Sequence, residues 1–72
     1  MPEGISRNDA VRIIAICDRM EAGIVDGNEA YVTEGRIFLE KWLAQLNTAA
    51  STLVAVRMLR SYAVEILNEE QP

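Results

Sequence analysis

The segment from residue 49 to 66 constrains this chain more than any other. Ala49, Thr52, Val56, Leu59, Ala63 and Ile66 recur at spacings of three, four, three, four and three, which is the seam of a heptad helix. Leu53, Val54, Ala55, Met58, Tyr62, Val64 and Leu67 fill much of the remaining circumference. A helix apolar on so many sides belongs at the centre of something, either within one subunit or where subunits meet. The whole chain has 72 residues, and a single core of that size seldom contributes more than about 3–5 kcal/mol. Two further short helices offer little surface with which to enclose this one. A homo-oligomer is therefore expected, most simply a two-fold dimer, with Val56, Leu59, Ala63 and Ile66 at the interface.

The other reinforcements open to a small domain are closed off. One cysteine, Cys17, cannot bridge to itself, and without any histidine it cannot build a zinc site of the Cys and His type. Neither a metal nor another cofactor is expected. Half of the residues are apolar and the net charge is −4. That apolar share predicts a packed chain rather than a disordered acidic one. The charge argues against nucleic acid, whose duplex binders present a basic face. No run approaches the roughly 18 apolar residues of a membrane span, and the opening Met-Pro-Glu-Gly lacks the pattern of a signal peptide. The expectation is a cytoplasmic protein with no membrane contact.

Two helices are expected to precede the heptad segment, giving an all-α chain read as one unit over 1–72, with helices at about 7–22, 29–46 and 49–68. In the first, Ala10, Ile13, Ile14, Cys17 and Met20 share a face. Ser6 and Asp9 form a variant of the capping box, Ile5 and Ala10 occupy the staple positions, and Gly23 is the expected left-handed stop. Asp26-Gly27 is a turn signal. Between Ile24 and Thr33 a short β-hairpin competes with a loop leading to a helix capped by Asn28 or Thr33. The helix is preferred, because two or three residues a side make a poor hairpin. Tyr31, Phe38, Trp42 and Leu46, with Val32, Leu39 and Leu43 beside them, then keep the helical period. Gly35 inside this pattern marks either the first turn or a close helix crossing. Asn47, Thr48 or Ser51 is the expected cap of the third helix. The expected arrangement is an antiparallel hairpin of the second and third helices with the first packed across it.

Residues suited to chemistry are few. Histidine, the usual acid or base near neutral pH, is missing. Cys17, on the apolar stripe, reads as a buried thiol, and Lys41 as a surface residue. Asp26-Gly27-Asn28-Glu29 resembles the start of a calcium loop, but Ala30, Tyr31 and Ile37 fall where the fifth ligand, the glycine and the closing glutamate belong. No glycine-rich phosphate loop occurs. One feature of the charges stands out: Arg57 and Arg60 have no acid three or four residues away. They are expected to bind acids of another helix or subunit, or else an external anion.

These residues define two functions. The first is a small non-enzymatic helical protein that binds another protein, itself unidentified, as a regulator or inhibitor, in the manner of bacterial and phage accessory factors. Its surface would include Arg57, Arg60 and Trp42, since tryptophan and arginine are enriched in binding hot spots. The second is a sequestering protein for an anionic small molecule such as a nucleotide, held between subunits by Arg57, Arg60 or Arg12, with Tyr62 or Trp42 stacked on the base. A helix-turn-helix DNA reader using the last helix ranks third, because that helix has two arginines among many apolar residues.

Overall fold

A computed structural model describes residues 4–46 and 51–69, and among these it contains three helices and no strand: α1 (Arg7–Asp26), α2 (Glu29–Leu46) and α3 (Thr52–Glu69). The start of α1 follows its local chemistry. Ser6 Oγ accepts the Asp9 backbone N–H at 3.1 Å while Asp9 Oδ2 accepts the Ser6 N–H at 3.2 Å, so two donors that a helix start leaves open are satisfied reciprocally. Ile5 packs on the core and Ala10 is fully buried, as the staple positions predict.

The end of α1 differs from the sequence expectation. Gly23 does not stop the helix, which continues to Asp26 and closes on Gly27 at φ 75°, a conformation that costs a side-chain-bearing residue about 1–2 kcal/mol. The Asn28 N–H donates to the Gly23 carbonyl at 2.8 Å. Gly23 sits buried inside α1, where a Cβ would lie 2.9 Å from Tyr31 Cβ. Asn28 Oδ1 accepts from the Tyr31 N–H at 3.4 Å at the head of α2, and Ser51 Oγ accepts from the Val54 N–H at 3.3 Å at the head of α3. The alternative caps Asn47 and Thr48, and the seam residue Ala49, lie outside the described residues.

Only Gly27 and Asn28 separate α1 from α2, so the tight helical hairpin is made by the first two helices rather than by the second and third. It is held close at Gly35, whose missing Cβ leaves room for Met20 Cγ and Sδ. The close-crossing reading of Gly35 therefore applies, and the first-turn reading does not. Helix α1 packs against both α2 and α3, and the contact between α2 and α3 is the slightest of the three. The reason is the apolar content of α1: Ala10, Ile13, Cys17 and Met20 join Leu39 of α2 and Val56, Leu59 and Ala63 of α3 in one fully buried cluster.

That cluster also relocates the heptad seam. Val56, Leu59 and Ala63 are buried within the single chain, and Ile66 is partly buried against them. The residues expected between subunits thus form the chain's own core, because α1 lies over them. Among the described residues no helix is long and apolar enough to cross a membrane.

Candidate interaction surface

Arg57 and Arg60 reach acids on another helix of the same chain. Arg57 Nε and Nη2 donate to Glu21 Oε1 at 3.0 and 2.8 Å, and Arg60 Nε donates to Asp18 Oδ1 at 2.7 Å. The higher-numbered arginine meets the lower-numbered acid, so the pairs run in opposite order along α3 and α1. Both lie at the solvent margin of the core, which limits each to about 0–1 kcal/mol. Their guanidinium groups are already engaged within the subunit.

The other expected site residues are dispersed. Trp42 is partly buried against the core, with its indole Nε1 enclosed and unbonded among the described residues; Lys41 Nζ stands 5.4 Å from the ring centroid. Tyr62 is half-buried on α3 and Arg12 is exposed on α1. Neither the cleft between α2 and α3 nor the smaller one beside Gly23 is lined by Arg12, Trp42, Tyr62, Arg57 or Arg60. Cys17 is free and buried. Loss of hydration pushes its thiol up to about 12, the adjacent Asp18 carboxylate adding to the rise. It therefore stays protonated and unreactive in the folded chain.

The surface that stands out is one the charge pattern did not mark. Helix α2 turns Val32, Leu39, Trp42, Leu43 and Leu46 to the core, and this leaves Ile37 and Phe38, 69% and 63% exposed, side by side on its outer flank. Phe38 shares a row with Tyr31, Trp42 and Leu46, and that row divides: Trp42 and Leu46 pack on the core while Tyr31 and Phe38 are exposed. Tyr31 is exposed as well, with the Arg19 guanidinium 4.2 Å from its ring centroid. Such contacts are worth about 0.5–1 kcal/mol at an exposed site. Ile37 could have been singled out in the sequence because it falls opposite Leu39 on a helical projection, whereas nothing local distinguishes Phe38 from Leu39.

Because α2 and α3 barely touch, an open cleft of about 580 Å³ lies between them, lined by Thr33, Arg36, Ile37, Glu40, Leu43, Ala44, Thr52 and Ala55. Its apolar side chains are bordered by one guanidinium, one carboxylate and two hydroxyls. Such a lining can bury an aliphatic or aromatic side chain and hydrogen-bond a polar flank. No group of acids, cysteines or histidines among the described residues is arranged to hold a metal ion. Comparison with family models, with curated proteins and with solved structures found no match.

Proposed function

We propose that this chain is a small cytoplasmic, non-enzymatic binding protein that regulates or inhibits a partner protein through the α2 surface. The observation that carries the reading is the pair of exposed large apolar residues, Ile37 and Phe38, beside an apolar cleft. Adjacent apolar side chains with a polar border are the usual composition of a protein-binding patch. The arginines Arg57 and Arg60 support this function less directly than expected, since they hold α3 to α1. The same pairing gives these arginines carboxylate partners within the chain, which favours the protein-binding reading over the sequestering of an anionic small molecule.

The test is affinity capture from the native host's lysate with the wild-type chain and with Phe38→Asp. A partner captured by the wild type and lost with the variant, whose helical content stays unchanged, supports the α2 surface. Capture indifferent to the substitution rules that surface out. Substrate turnover abolished by replacing Cys17 or a single carboxylate would overturn the non-enzymatic reading.

A further inference from the structure

The stripe of α2 turned away from α1, part of which is the α2 wall of the cleft, carries a second heptad pattern that none of the described residues covers. Ala30, Thr33, Ile37, Glu40 and Ala44 follow one another at spacings of three and four, and all are exposed. Glu34 and Lys41 flank the stripe on one side and Arg36 on the other, again exposed. Among the described residues no ion pair engages Glu34, Arg36 or Glu40. We propose that a second copy of this chain occupies this face, its α2 lying antiparallel to the first about a two-fold axis that passes between Ile37 and Phe38.

The proposal rests on the binding-protein reading for α2 as the interaction face, and adds that in the free protein a second copy covers it, so that a partner competes with self-pairing for the same residues. Charge selects the geometry. With the axis at the level between Ile37 and Phe38, the two Ile37 side chains meet across it, and Glu34 faces Lys41 in both symmetry-related halves. Arg36 of each copy then comes within a helical turn of the other's Glu40. A parallel pairing brings Arg36 up to Lys41 of the second helix and sets like residues side by side, so the same charges oppose it. Ala30 and Ala44 are small and let the backbones approach at the ends of the stripe. In the single chain Lys41 is exposed and its Nζ rests near the Trp42 ring, a contact weak enough to exchange for a facing carboxylate.

Sedimentation at high micromolar concentration tests this directly. The wild type is expected to associate to twice 8.0 kDa. Ile37→Glu should sediment as a monomer with the circular dichroism of the wild type, since its side chain makes no core contact. Glu34→Lys and Lys41→Glu should each weaken self-association several-fold, and mixing the two variants should restore it, because both facing pairs become opposite in sign again. A wild type that stays monomeric, or a dimer indifferent to Ile37→Glu and to both charge reversals, overturns the proposal. Monomeric wild type that still loses a foreign partner on Phe38→Asp would discard the self-pairing while leaving the binding-protein reading intact.

Discussion

Helices α1 and α3 meet by hiding their side chains, and α2 meets solvent by showing its own. Four residues of α1 and three of α3 are fully buried in the common cluster, whereas α2 contributes only Leu39. At the margin of the first contact, Arg57 and Arg60 find acids across the gap. On the outer side of α2, Glu34, Arg36 and Glu40 have no such partner among the described residues. The contrast teaches that two helices of similar apolar content can serve opposite ends. One side of a helix becomes core when a neighbour lies along its length, and the same kind of side chain becomes an interaction surface when the neighbours lie elsewhere.

The largest expected effect comes from breaking the buried side of this comparison. Leu59→Asp places a charge with no partner in a fully buried position, at a cost of several kcal/mol, about the whole stability of a chain this small. Thermal melting followed by circular dichroism should show an unfolded chain. Phe38→Asp, on the exposed side, should shift stability by no more than about 0.5 kcal/mol. A Leu59→Asp variant that melts like the wild type would put α3's seam in solvent.

Next in size is the crossing of α1 and α2. A Cβ on Gly35 would overlap Met20 Cγ and Sδ, and atoms that near the start of a fully buried side chain cannot swing aside freely. Gly35→Ala should cost about 1–3 kcal/mol despite the better helix propensity of alanine. Met20→Ala should remove most of that penalty in a double-mutant cycle. Additive effects would mean that the two helices do not meet there.

Cys17 provides a probe that appears only at high pH. Its thiol is raised from 9.0 to about 12 by burial, so the stability it contributes is fully present below pH 9.0. As pH rises through the interval up to about 12 the unfolded chain gains the thiolate first and stability falls, by on the order of 1 kcal/mol per pH unit. Denaturant midpoints measured across that range should decline for the wild type and decline less for Cys17→Ala. Identical slopes would place the thiol in contact with solvent.

The marginal ion pairs bordering the core should also contribute little. Arg57→Ala with Arg60→Ala should remove about 0–1 kcal/mol per pair, and the difference from wild type should shrink as salt is added. Loss of folding on this double substitution would make the arginines part of the core rather than its border.

Three helices, the Ser6–Asp9 cap, the buried thiol and the search for Arg57's and Arg60's acids on another helix are all legible in the sequence, because each depends on residues three or four apart or on the absence of such neighbours. The length of α1 was obscured by two glycines four residues apart. Gly23 and Gly27 offer the same local freedom, and only the position of Tyr31 against Gly23 shows which one lies inside the helix. The candidate surface was half legible: Ile37 falls off every apolar row, whereas Phe38 sits on one that is as regular as its neighbour.

By itself, then, the sequence determined where helices form and that one of them is apolar almost all round, since capping, turn chemistry and periodicity act within a few residues of chain. Only the tertiary structure decided that α1 covers the heptad seam, that Leu39 of α2 faces inward while Phe38 beside it faces outward, and that α2 and α3 leave a cleft. The physical reason is that helix faces are chosen by which neighbour can approach most closely. Here the side chain missing at Gly35 and the bulk of Met20 bring α2 onto α1 in one rotation, and no pattern within either helix records that fit.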